Sequence, residues 1–225
     1  MIRGAIFDID GTLLDSLGIW EEADERYLEE QGIQAEEGLG RILYPMTLQE
    51  ACAYIRRHYP VEDTQEEIIS KIRKIVEVFY REQAPLKKGV AGFLSAIRAK
   101  GIPVIAATTG EKALAEAAFQ RLGIETFFRE ILTCTGVGAG KDQPKIYEEG
   151  ARLLGSRPEE TLVFEDAFYA LKTASDAGFL TIGVRDPYNE QDLGNILDTA
   201  DFYLTDLTDF QGFWDRLEEK KGKQI

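Results

Sequence analysis

Asp8 and Asp10 stand two residues apart, after the apolar run Ala5-Ile6-Phe7 and just before Gly11. Carboxylates at the end of a buried strand are costly unless a cation or a reaction uses them. Three further groups occupy comparable positions: Thr108-Thr109 after an apolar run at 103–107, Glu165-Asp166 after one at 161–164, and Lys141 in the loop Gly136-Val137-Gly138-Ala139-Gly140-Lys141. Acids from two strands can hold a hard divalent cation. Magnesium favours one or two carboxylates together with water and substrate phosphate. A lysine and hydroxyl donors supply what a phosphoryl group needs.

Such groups meet only if their strands lie parallel with their carboxyl ends at one edge, where ligands of open α/β sheets collect. Short apolar runs at 2–7, 103–107, 130–134, 161–164, 180–184 and 202–204 read as strands. Helical patterns separate the later ones, stopped by Gly101, Gly123 and Gly178. This alternation predicts an α/β protein with a doubly wound, parallel, Rossmann-like sheet and helices on both faces. Residues 16 to about 84 break the alternation, since every periodic stretch there is helical. Ser16 is a candidate N-cap for a first helix running to about Gln31, Thr47 for a second, and Thr64 with Glu67 forms a T-x-x-E capping box. Leu39–Tyr44 is ambiguous and Pro45 marks a break. The expected organisation is an α/β core of residues 1–15 and 85–225, with an all-helical cap, 16–84, inserted above the sheet edge. Hinges are expected near Leu14-Asp15-Ser16 and Ala84-Pro85-Leu86. A last helix is expected from Asp209 to Leu217, and Glu218 onward reads as a fraying tail.

Charge narrows the function. Twenty-six basic against 40 acidic residues give a net charge of −14, which opposes nucleic-acid binding. An anionic substrate then needs local compensation from a metal, a lysine or helix N-termini. No apolar run reaches the ~18 residues of a membrane span, and no charged-then-apolar leader opens the chain, so a cytoplasmic protein is expected. Cys52 and Cys134 read as buried thiols.

The string Asp8-Ile9-Asp10-Gly11-Thr12 resembles the first motif of the haloacid dehalogenase-like hydrolases. Thr108 resembles the second, Lys141 with Pro144 and Tyr147 the third, and Glu165-Asp166 the fourth. The helical insertion is similar to the cap of the subgroup containing phosphoglycolate phosphatases and β-phosphoglucomutases. This resemblance implies a magnesium-dependent phosphatase acting on a small phosphorylated metabolite, a sugar phosphate or a phosphoglycolate-like acid. Asp8 would attack phosphorus and form an aspartyl-phosphate; Asp10 would protonate the leaving oxygen and then activate water. Mg2+ would be held by Asp8, the Asp10 carbonyl and Asp166. Glu165 would ligate it directly, act through water or support the ligands. Thr108 and the amide of Thr109 would bind phosphoryl oxygens, and Lys141 would neutralise phosphate and restrain Asp8. The implied partners are the small metabolite alone, with neither nucleic acid nor membrane, and a monomer or weak homodimer.

Two alternatives stand beside this reading. A sugar phosphomutase of the β-phosphoglucomutase kind is one, although those enzymes carry a histidine where this chain has Trp20. A non-catalytic binding protein on the same fold is the other, opposed by the intact quartet Asp8, Asp10, Lys141 and Asp166. After Asp166 the family often has Ser and a later Gly, where Ala167 and Ala170 stand here. Trp20 is read as facing substrate, with packing inside the cap as its competitor. Arg41 is a candidate substrate contact or a surface arginine. Tyr44 and Tyr54 read as cap core, and His58 as surface or cap packing.

Overall fold

The computed structural model describes residues 1–43 and 46–222, apart from the side chains of 21, 41 and 221. The readings placed on Arg41, Tyr44 and Pro45 lie outside the described residues. Six strands form one sheet: β1 (Gly4–Phe7), β2 (Val104–Thr108), β3 (Phe128–Thr133), β4 (Thr161–Glu165), β5 (Leu180–Val184) and β6 (Phe202–Leu204). All pairs are parallel, in the order β3-β2-β1-β4-β5-β6, with helices on both faces. This is the expected doubly wound, Rossmann-like α/β architecture. The chain winds outward from β1 in one direction and from β4 in the other, so the switch point lies between them. Ligands of such sheets bind at that crevice.

The chain divides into two compact units, Met1–Asp15 with Pro85–Ile225, and Ser16–Ala84. The second is helical: α1 (Ile19–Glu30), α2 (Leu39–Leu43), α3 (Leu48–His58) and α4 (Gln65–Val78), the last continuing into one π-helical stretch, Phe79–Gln83. Thr47 with Glu50, and Thr64 with Glu67, close reciprocal capping boxes that satisfy N-terminal amides of α3 and α4. Ile19, Ala23, Tyr27 and Leu28 of α1 are buried, as are Ala51, Cys52 and Ile55 of α3 and Ile68, Ile72, Ile75 and Val76 of α4. The Tyr27 hydroxyl donates to Asp63 Oδ2 at 2.9 Å, and Lys71 Nζ donates to the same oxygen at 2.6 Å.

Some local readings fail. Ser16 does not cap α1: the helix starts at Ile19, with Gly18 in the cap position and no side-chain cap bond. The ambiguous 39–44 stretch contains α2. Tyr54 is half-buried, stacked on the exposed His58 at 3.8 Å and donating to Glu36, so it lies outside the core.

In the α/β unit the helices are α5 (Val90–Ala99), α6 (Lys112–Leu122), α7 (Cys134–Val137), α8 (Lys145–Leu154), α9 (Phe168–Asp176), α10 (Leu193–Thr199) and α11 (Phe210–Gly222). The expected fraying tail is helical through Gly222, because Trp214 Nε1 donates to Glu218 and Lys220 bonds Asp201. Two packing features set the site. Phe7 of β1 and Phe164 of β4 stack in parallel with centroids 4.0 Å apart, and Phe93 of α5 meets both edge-on. On the other layer, Gly150 of α8 brings that helix onto β1, since a Cβ there would stand 2.7 Å from Ile6 Cδ1.

Asp24 of α1 is a buried carboxyl whose Oδ1 has no hydrogen-bond partner among the described residues. Burial, then the neighbouring Glu25 charge, pushes its pKa from 3.8 up to about 6. The folded state therefore holds a proton that the unfolded state releases near pH 4. Asp24 thus costs stability progressively as pH rises from about 4 to about 6, by roughly 2–3 kcal/mol at most. Asp24→Asn should gain melting temperature over the parent across that window, and the gain should be flat above it. Thermal unfolding from pH 4 to 8 checks this; a difference independent of pH contradicts it.

Candidate active site

Asp8 is placed by the sheet itself. Phe7 is in register with Phe164, and the Asp8 amide donates to the Phe164 carbonyl at 3.0 Å. The stacked pair therefore delivers Asp8 and Glu165, each the next residue along, to the same edge. Gly11, at φ 91°, then turns the chain where a side chain would be strained. Asp166 follows Glu165 immediately. Carboxylate oxygens of Asp8, Glu165 and Asp166 all lie within 4.8 Å of one another, and all three residues are buried.

Lys141 reaches into this cluster from the loop before α8. Its Nζ donates to Asp8 Oδ1 and, at 2.7 Å, to Glu165 Oε1. Burial alone would depress the ammonium's pKa; the flanking Asp8 and Glu165 carboxylates override it and hold the pKa above its ordinary value. Tyr147, seated by the close approach of α8, donates its hydroxyl to the same Glu165 oxygen at 2.8 Å. Burial, Glu165 next to it and the bond to Glu165 raise the tyrosine's pKa, so it stays a donor. Glu165 is thus held by a lysine and a tyrosine on one oxygen. Burial raises its pKa, and Lys141 opposes that rise.

Asp166 is held by two neutral donors. Thr12 Oγ1 donates to its Oδ1 at 3.1 Å and Asn189 Nδ2 to its Oδ2 at 2.6 Å. Burial, followed by the charges of Asp8 and Glu165, pushes its pKa well above the usual carboxylate range. Asp10, half-buried, points its carboxylate elsewhere: Thr108 Oγ1 donates to its Oδ2 at 3.4 Å, and Thr108 in turn accepts from the Gly110 amide at 2.8 Å. Thr109 is exposed, and Trp20 lies on α1 of the helical unit with 47% of its surface exposed. The geometry therefore gathers Asp8, Lys141, Glu165 and Asp166 into one cluster and pairs Asp10 with Thr108.

Charge decides what the cluster can do. Three carboxylates against one ammonium leave two negative charges uncompensated in a buried site, so the acids cannot all ionise without a cation. Asp8 Oδ2 is buried with no hydrogen-bond partner among the described residues. A hard divalent ion answers both features, and the all-oxygen donor set suits one. Thr12, Tyr147 and Asn189 gained no role from sequence. Thr12 and Tyr147 at least lie within or beside the motifs; Asn189 carries no local signal.

Residues 2–178 match the family model for haloacid dehalogenase-like hydrolases. Hexitol phosphatase A of Escherichia coli is 29% identical over 199 residues, covering 86% of this chain and 88% of its own. Glyceraldehyde 3-phosphate phosphatase of Methanopyrus kandleri is 30% identical over 220 residues, covering 91% and 93%. A solved Thermotoga maritima structure, provisionally named β-phosphoglucomutase, superposes with a TM-score of 0.85 at 24% identity, over 96% of this chain and 99% of that one. The chain belongs to the haloacid dehalogenase-like hydrolases. It is an enzyme of the phosphoric monoester hydrolase class.

Removing Lys141 leaves Asp8 and Glu165 buried without their counter-charge. Lys141→Met, without added metal, should lose about 3 kcal/mol of unfolding free energy. Adding Glu165→Gln should recover part of that loss. Chemical denaturation of the three proteins measures it, and a single variant as stable as its parent contradicts the ion-pair account.

Proposed function

We propose that this hydrolase releases phosphate from a small phosphorylated metabolite of the sugar phosphate or phosphoglycolate type, with Asp8 as nucleophile. The observation that carries the reading is the state of Asp8. One of its oxygens is clamped by Lys141, the other is buried with no partner among the described residues, and its carboxylate lies close to those of Glu165 and Asp166. Such a carboxylate is oriented for attack, and its neighbours fit a magnesium ion. Asp8, the Asp10 carbonyl and Asp166 would hold that ion, with Glu165 supporting through Lys141 and Tyr147. When bound, the ion supplies positive charge against the phosphoryl oxygens.

The remaining work falls to the chain's own groups. Asp8 attacks phosphorus and carries the phosphoryl group as an aspartyl-phosphate. Asp10 gives its proton to the leaving oxygen and later takes one from water, with the Thr108 hydroxyl bonded to its Oδ2 fixing its orientation. Lys141 balances phosphoryl charge, and Thr108 with the Thr109 amide receives phosphoryl oxygens. The helical unit, residues 16–84, selects the substrate, with Trp20 as a contact. The acidic chain finds its substrate in the cytoplasm; among the described residues no helix is long and apolar enough to cross a membrane. The named activities of the relatives above support a phosphorylated sugar or sugar alcohol.

A screen of phosphorylated metabolites, read by released phosphate and by isomer interconversion, tests the reading. Phosphate release dependent on Mg2+ and abolished by chelation is expected. Asp8→Asn should remove measurable turnover, and Asp10→Asn should lower kcat by about 10²–10⁴-fold. Wild-type turnover in Asp8→Asn contradicts the nucleophile assignment, and interconversion without net phosphate release contradicts the phosphatase.

A further inference from the structure

Lys87 makes three bonds that local sequence does not foretell. Its Nζ donates to the Gly11 carbonyl at 2.6 Å, to the Arg185 carbonyl at 2.6 Å and to Asp186 Oδ2 at 2.7 Å. All three donor sites of the ammonium are used, and both partners of the ion pair are largely buried, Lys87 at 15% and Asp186 at 1% side-chain exposure. Its own amide donates to Leu13 at 2.9 Å, so its backbone is fixed as well.

The two segments joined by Lys87 are the two that hold Asp166. Gly11 immediately precedes Thr12, the donor to Asp166 Oδ1. Arg185 and Asp186 lead into the 3-10 turn Pro187–Asp192, which carries Asn189, the donor to Asp166 Oδ2. Asp186 starts that turn by accepting from the Tyr188 amide at 2.9 Å. The Asp186 charge also faces Asp166, and Lys87 neutralises it at contact distance. Hydrogen bonds to both oxygens of a ligating carboxylate fix its plane. Thr12 and Asn189 give one such bond to each oxygen of Asp166.

We propose that Asn189, locked in place by the Lys87–Asp186 ion pair, is a positioning residue that keeps the Asp166 carboxylate plane fixed and aimed for a divalent cation. This inference rests on the reading of Asp166 as a metal ligand. Asn189 touches neither substrate nor reacting atoms in that reading; it acts through Asp166. Loss of its amide leaves Asp166 with one donor and free to rotate. Loss of the Lys87 charge releases both donor-bearing segments together and leaves Asp186 facing Asp166.

Titration calorimetry with Mg2+ alone, on the full chain without substrate, tests the proposal. Asn189→Ala should weaken Mg2+ binding by about 10–100-fold, the usual effect of losing a group that orients a ligand. Lys87→Met should weaken it at least as much, and Lys87→Arg should retain most of the affinity. Phosphate release at saturating Mg2+ should approach the parent rate in Asn189→Ala, so the defect appears as a shifted Mg2+ requirement. A merely structural role would lower the maximal rate and melting temperature without moving that requirement. Should Lys87→Met not fold, Asn189→Ala alone still decides the matter. Parent-like Mg2+ affinity in a folded Asn189→Ala overturns the proposal. A parent protein that binds no Mg2+ instead overturns the metal-site reading beneath it.

Discussion

The ammonium of Lys141 between Asp8 and Glu165 is the interaction on which the site depends. Three buried carboxyls within a few ångströms repel one another and resist ionisation. Lys141 makes two of them compatible with burial, and Tyr147 supports the arrangement by donating to the same Glu165 oxygen. The compensation is incomplete. The remaining negative charge is what suits the cluster to a divalent ion, which when bound would attract a phosphoryl group in an otherwise acidic protein. The protein's overall charge and its anionic substrate are thereby reconciled within one crevice.

Sheet topology makes that cluster possible. β1 and β4 are far apart in sequence and adjacent in the sheet, on either side of the point where winding reverses. The Phe7–Phe164 stack sits one residue before Asp8 and Glu165, so a close ring stack adjoins the two carboxylates. Rigid strand ends hold Asp8, Glu165 and Asp166; loops bring Lys141, Thr12 and Asn189 to meet them. The same division separates a fixed reacting edge from the helical unit, whose sequence carries no shared motif.

The six strands were legible because parallel strands buried on both faces read as short apolar runs, each ending in a polar residue at the same edge. The Thr47 cap and the Thr64-Glu67 capping box were legible because helix capping is local; the structure adds Glu50 as the reciprocal partner of Thr47. Ser16 misled because its chemistry fits a cap while the helix begins only at Ile19. The tail at 218–222 misled because its charge pattern hides the partners, Trp214 and Asp201, that keep it helical. Among site residues, the acids and Lys141 announced themselves through motifs. Thr12 bonds Asp166 across 154 positions and Lys87 bonds Asp186 across 99, and no pattern within either segment specifies its partner. Asp10 and Asp8 are alike in residue type; the family resemblance already paired Lys141 with Asp8, and the fold adds the Thr108 bond to Asp10.

The central claim is that Asp8 carries the phosphoryl group. Rapid acid quench during turnover of a phosphorylated substrate, followed by peptide mass spectrometry, tests it directly. The account predicts a phosphoryl adduct on the peptide containing Asp8, formed within the first turnover and lost on the time scale of phosphate release. Turnover with no adduct on that peptide, or an adduct on a different residue, would contradict it.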